Sequence, residues 1–116
     1  MIPGVLFIIT SDPRTSPRPA EAVRIAAGVG AWRKVAVTVY LRDTAVLALS
    51  EFPDDLADGD NFSRYLPLVK ESGGLICAQR GAALLNDIGH CAVSFHETDD
   101  DELTALITKN DYAVRF

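Results

Sequence analysis

The segment Gly73–Gly81 (GGLICAQRG) carries the most chemically suggestive pattern in the chain. A short apolar run, Leu75-Ile76, delivers Cys77 to a loop, and Arg80-Gly81 follows at once. The thiolate is the nucleophilic form of cysteine, and a nearby cation lowers the thiol's pKa. A thiol at a strand's C-terminal end with an arginine three residues on is therefore a candidate reactive centre. The same residue also reads as a small buried hydrophobe. Arginines follow three successive strand ends, as Arg14, Arg42 and Arg80, which predicts a positive field along one edge of the molecule. In that reading Arg80 and Arg14 stabilise a thiolate or an anion, while Gly81 and the turn residues Ser11, Thr15 and Ser16 line the pocket.

Other chemistry is less developed. The turn Ser11–Ser16 lacks the glycines of a P-loop or a dinucleotide fingerprint, so nucleotide binding has no support. Ser11, Thr15 and Ser16 can cradle a small anion at a helix N-terminus, or serve only as turn and cap. Cys91 opens a buried strand and forms no CxxC pattern with Cys77. His90 and His96 flank that strand, with Glu97 and Asp99–Asp101 nearby, but no spacing matches a metal-ligand set. No metal or other cofactor is expected, and no Ser-His-Asp arrangement can be drawn.

The elements that must position these residues follow from composition and pattern. The chain has 116 residues, 48% of them hydrophobic, which suits one α/β domain spanning 1–116. A net charge of −5 argues against nucleic-acid binding, which needs a basic face. Two cysteines make no disulfide framework, so a reducing cytoplasm is expected. The opening MIPGVLFIIT is too short to span a membrane and lacks a basic leader, so it reads as a strand rather than a signal peptide.

Val5–Thr10 and Val35–Leu41 are continuous runs rich in β-branched and aromatic residues, typical of strands buried on both faces. Leu75–Cys77, Cys91–Phe95 and Tyr112–Phe116 supply three more. Helices are predicted from Ser16, as cap, to about Trp32, over Thr44–Ser50 with Asp43 as cap, and around Phe62–Val69, where Pro67 should kink or restart the helix. Gly73 is a natural stop. Thr98 and Asp101 resemble a capping box before Leu103, Leu106 and Ile107. Strands alternating with helices imply right-handed crossovers and a three-layer flavodoxin-like or Rossmann-like domain with a five-stranded, mainly parallel sheet. In the common strand order 2-1-3-4-5 the ligand crevice lies between strands one and three, which would set Ser11–Arg18 against Cys77–Gly81.

The TSDP turn after the first strand, the third-strand cysteine followed by Arg-Gly, and the closing NDYAVRF together resemble the DsrE/DsrF-like proteins, including the DsrE and TusD subunits of sulfur-relay complexes. The resemblance runs from Val5 to Phe116. It implies a cytoplasmic subunit that forms trimers, hexamers or hetero-oligomers with related subunits, and a loop cysteine, here Cys77, that passes sulfur as a persulfide between donor and acceptor proteins. Only Ala78 and Gln79 separate Cys77 from Arg80, a tighter loop than many relatives have. The leading expectation is thus a sulfurtransferase-like persulfide carrier. The alternatives are a non-catalytic assembly or regulatory subunit, with Phe62, Tyr65 and Leu66 serving subunit contacts, and a small-anion or metabolite binder.

Overall fold

The computed structural model describes residues 2–116; Met1, the first residue of the expected domain, lies outside them. Five strands form one wholly parallel sheet: β1 (Gly4–Ile9), β2 (Ala36–Leu41), β3 (Leu75–Gln79), β4 (His96–Thr98) and β5 (Tyr112–Arg115). Three helices join them: α1 (Arg18–Ala31), α2 (Asp60–Glu71) and α3 (Asp100–Lys109). The α/β three-layer architecture is as the pattern predicts.

Strand order is not. It runs β4-β3-β2-β1-β5, so β2 separates β1 from β3 and the expected crevice between them does not exist. Successive crossovers carry the chain one way across the sheet until α3 takes it back to the far side of β1.

Side-chain alternation sorts the strands onto two faces. Phe7, Ile9, Val37, Val39, Leu41, Ile76 and Ala78 face α1 and α2 and belong to the larger core. Helix α1 lies close because its inner surface is built of Ala20, Ala22, Val23, Ala26, Ala27 and Gly30, all buried. At Gly30 a Cβ would come within 2.6 Å of Ser72 Oγ, so the glycine permits the approach of α1 to the end of α2. Helix α2 turns Phe62, Leu66 and Val69 into the same core. The expectation that Phe62 and Leu66 are free for subunit contacts is therefore wrong. Helical spacing marked an inward face, not an outward one.

Several boundaries also differ. Helix α2 runs unbroken through Pro67; the carbonyl of Ser63 loses its helical partner, but that residue is exposed to water. Asp43 does not cap a helix; it begins a 3₁₀ segment, Asp43–Leu49, with φ of 54°, and its N–H is taken by Gln79 Oε1 at 2.8 Å. The expected fourth strand Cys91–Phe95 is a loop joined by one isolated bridge, Cys91 to Ser50, to the end of the 3₁₀ segment and not to the sheet, and the strand is the next segment, His96–Thr98. The capping box lies one residue later than expected: Asp99 Oδ1 accepts from Glu102 N–H at 2.8 Å, and Glu102 Oε1 accepts from Asp99 N–H at 3.2 Å.

Candidate functional site

The chain leaves β3 toward the larger core, through Ala82 and the partly buried Leu84 and Leu85. It leaves the adjacent β4 toward the other face, into α3, whose Leu103 and Leu106 pack on Leu6, Ile8, Tyr40 and Cys77. Neighbouring parallel strands whose connections diverge to opposite faces open a crevice at their C-terminal ends, where open α/β sheets bind ligands. The crevice thus lies between β3 and β4, and Cys77 is still beside it.

Cys77 is not at a strand end as expected: β3 continues through Ala78 and Gln79, so the thiol occupies the middle of the strand, on the face covered by α3, with 2% of its surface exposed. Strand register sets it between Tyr40 of β2 and His96 of β4. Adjacent parallel strands stand about 4.8 Å apart and paired residues share a face, so Tyr40, Cys77 and His96 form one row across the sheet. An open cavity of about 470 Å³ lies over this row, lined by Cys77, Arg80, His96, Thr98 and Glu102, with Leu75, Ala105 and Leu106 as apolar walls and Glu97 and Lys109 completing it.

The electrostatics differ from the sequence expectation. Burial pushes the Cys77 thiol up from its ordinary pKa, with hydrogen bonding to Thr98 acting in the opposite direction. The resting thiol is protonated at neutral pH. Each of the three strand-end arginines is already paired. Arg80 reaches Asp99 Oδ2 and Glu102 Oε1, both at 3.5 Å, and donates to Glu97 O at 3.3 Å. Arg42 bridges Asp100 Oδ1 and the Tyr40 hydroxyl, both at 3.0 Å. Arg14 grips Asp12, with Nε to Oδ1 at 3.0 Å and Nη2 to Oδ2 at 2.9 Å, which lowers the pKa of the Asp12 carboxyl. The positive edge is neutralised by carboxylates: Asp12 from the same turn for Arg14, and for Arg42 and Arg80 distant acids that spacing along the chain did not reveal.

Of the residues predicted to surround Cys77, Arg80 lines its cavity. Gly81 follows directly as an exposed turn residue with φ of 80°. Arg14 does not; it lines a separate hollow with Leu47, Ser50 and Phe52. Ser11, Thr15 and Ser16 are absent from the cavity wall as well. Thr15 and Ser16 donate backbone N–H groups to Asp12 O, and Ser16 Oγ accepts from Arg18 N–H at 3.2 Å, which is turn chemistry. Cys91 and His90 line another open hollow with Glu51 and Ser63, and burial raises the Cys91 thiol too. Sequence reasoning missed His96 and Thr98 as neighbours of the thiol. The one signal available was the capping-box Asp99–Glu102 pair, which fixes the start of α3 and so the end of β4.

Among the described residues no helix is long and apolar enough to cross a membrane. No protein-family model matches the chain, and no curated protein matches its sequence. Its fold does match a solved structure, that of the ychN protein from E. coli, with a TM-score of 0.83 over 99% of this chain and 100% of that one. Identity is 14%, so the likeness is one of fold alone.

Proposed function

We propose that this chain is an intracellular sulfur-relay subunit that carries sulfane sulfur on Cys77, assembled with copies of itself as a trimer or hexamer or with related subunits. The observation that carries the reading is the register of Cys77 and His96, side by side under an open cavity that runs along β3 and α3 as far as Arg80. The fold likeness to the ychN protein and the sequence's resemblance to DsrE/DsrF-like proteins support it.

Burial sets the chemistry. A protonated thiol is a poor nucleophile, so the site needs a base beside it. The imidazole of His96 accepts the proton from Cys77 Sγ. The thiolate attacks the outer sulfur of a donor persulfide, R–S–SH; the new S–S bond forms at Cys77 as the donor's S–S bond breaks. The donor leaves as a thiolate and takes the proton back from the imidazolium of His96. No net redox change occurs, and transfer to an acceptor thiolate repeats the exchange in reverse. The Thr98 hydroxyl stabilises the transient thiolate, while Arg80 stays engaged with Asp99 and Glu102. Arg14 and the Ser11–Ser16 turn take no part.

Incubation with a persulfide donor followed by intact-mass and peptide analysis should add about 32 Da, one sulfur, to Cys77 and not to Cys91. His96→Ala should slow loading while leaving the fold intact. Equal labelling of both cysteines, or none on Cys77, overturns the proposal.

A second reading, the non-catalytic assembly subunit, is favoured by the 2% exposure of Cys77 and by the pairing of Arg80 with two carboxylates. It predicts that Cys77→Ser keeps full cellular function, which the carrier reading forbids.

A further inference from the structure

The two edges of the sheet are built differently. Edge strand β4 has three residues, His96, Glu97 and Thr98, polar throughout. Edge strand β5 has four, and all are exposed: Tyr112 is 66% and Val114 42% accessible. Proteins protect an open edge with Pro, charged side chains, a bulge or a cover, and the sequence of β5, YAVR, carries no Pro and a single charge, Arg115.

Its unpaired backbone groups can be identified. Phe116 N–H donates to Ile8 O at 2.9 Å and Phe116 O accepts from Thr10 N–H at 2.9 Å, so Phe116 bonds inward to β1. Strand alternation makes Val114 and Tyr112 inward-bonding as well. The N–H and C=O groups of Ala113 and Arg115 therefore point away from the sheet. Register with Val5 and Phe7, which face α1, puts Tyr112 and Val114 on that side, where Phe116 stacks on Phe7.

We infer that β5 is a docking edge for a second copy of this chain, paired antiparallel about a two-fold axis through Val114. In this register Ala113 of one copy exchanges hydrogen bonds with Arg115 of the second, and the reverse, making about four backbone bonds. Val114 faces its own counterpart, and Tyr112 faces the second copy's Phe116, an aromatic cross-strand pair. Each Arg115 side chain meets an alanine. Shifting the axis to Arg115 would set two arginines opposite each other, which is unfavourable. Shifting it to Ala113 would call on Asp111, whose N–H is already bonded to Gly4 O. A self-complementary patch of this kind is what an isologous interface requires. The pairing joins two five-stranded sheets into one and leaves the Cys77 cavity, beside the opposite edge, open. It is independent of the sulfur-carrier reading.

The test uses two variants of the full chain. Ala113→Pro removes an outward N–H without touching a bond to β1, and should weaken self-association in sedimentation equilibrium by about tenfold or more in Kd, the effect of losing symmetric hydrogen bonds. Val114→Cys, in a Cys91→Ser background, should form a covalent dimer on mild oxidation. Facing Cα atoms in a non-hydrogen-bonded pair lie about 4.5 Å apart, within disulfide reach. Phe52→Cys, an exposed control at 78% accessibility, should not cross-link at a comparable rate. A concentration-independent mass unchanged by Ala113→Pro, or cross-linking of Val114→Cys no faster than the control, overturns the inference. Preferential cross-linking of Ala113→Cys overturns the register.

Discussion

The two faces of the sheet are made of different materials. Toward α1 and α2, among the described residues, the strands join a core that includes Phe7, Val23, Val39, Leu49, Phe62, Leu66 and Ile76, each no more than 3% exposed. Toward α3 the buried set is Leu6, Ile8, Tyr40 and Cys77, and α3 itself buries no residue fully. A single helix covers this face, whereas the other is covered by two helices and two 3₁₀ segments, Asp43–Leu49 and Ala83–Asp87. Apolar burial scales with stability, at roughly 25 cal/mol per Å², so the first face holds the fold together. The second face is left thin where the candidate chemistry lies. Its helix is fastened at the N-terminal end by polar contacts: the Asp99–Glu102 capping box, Arg42 to Asp100, and Arg80 to Asp99 and Glu102. Exposed ion pairs contribute little to stability. Sites that admit a partner are drawn from such loosely held regions.

The comparison breaks most visibly in the cores. Phe62→Ala removes a ring that is 1% exposed, and should cost about 3–5 kcal/mol in urea unfolding, the usual range for emptying a packed aromatic site. Leu106→Ala, on the half-covered face of α3, should cost only about 1–2 kcal/mol, because the site is already open to the cavity. Equal costs would mean that the two faces are equally load-sharing and that the contrast is one of appearance.

The same pair of variants sharpens the comparison at the thiol. Leu106 lines the Cys77 cavity and packs on its floor. Its truncation should accelerate alkylation of Cys77 under native conditions by more than its effect on global stability explains. Phe62→Ala, despite its larger cost, should accelerate alkylation only in proportion to global unfolding. Alkylation that tracks global stability in both variants would show that Cys77 is reached only by unfolding.

How far the sequence carried depended on which face an element serves. The runs VLFIIT and VAVTVYL are legible because strands buried on both sides must be apolar throughout, and they fall at β1 and β2. The polar HET of β4 is an edge strand, and hydrophobic periodicity is silent there. CAVSF imitates a strand because Cys91, Val93 and Phe95 pack half-buried against the larger core from a loop. The cysteine was legible as a candidate but its surroundings were not. Strand order is a long-range property, and with β2 standing between β1 and β3 the turn carrying Arg14 lies away from the thiol. Nor does local spacing show that the acids at the start of α3, some twenty residues on from Arg80, neutralise Arg42 and Arg80. His96 became a neighbour of Cys77 only through register.

The smallest expected effect concerns pH. Burial raises the Cys77 thiol above its unfolded pKa, so as pH climbs past the unfolded value the unfolded chain gives up a proton that the folded chain keeps. The unfolded state then binds fewer protons, and folding stability falls. The contribution is complete below the unfolded thiol's pKa and is lost as pH rises through the folded one. Cys91 acts with the same sign, since burial raises it as well. Tyr40, raised chiefly by its own burial, adds a further loss at higher pH. Urea midpoints of the natural chain should therefore decline from about pH 7.5 to about pH 9.5, across the range where an ordinary thiol ionises. The decline should be shallower in Cys77→Ser. The Cys91→Ser variant, which leaves the more buried thiol in place, should retain more of it. If Cys77→Ser follows the natural chain point for point, the thiol ionises as freely in the folded protein as in the unfolded one. The thin face would then already expose its cysteine to solvent, and the base assigned to His96 would be unnecessary.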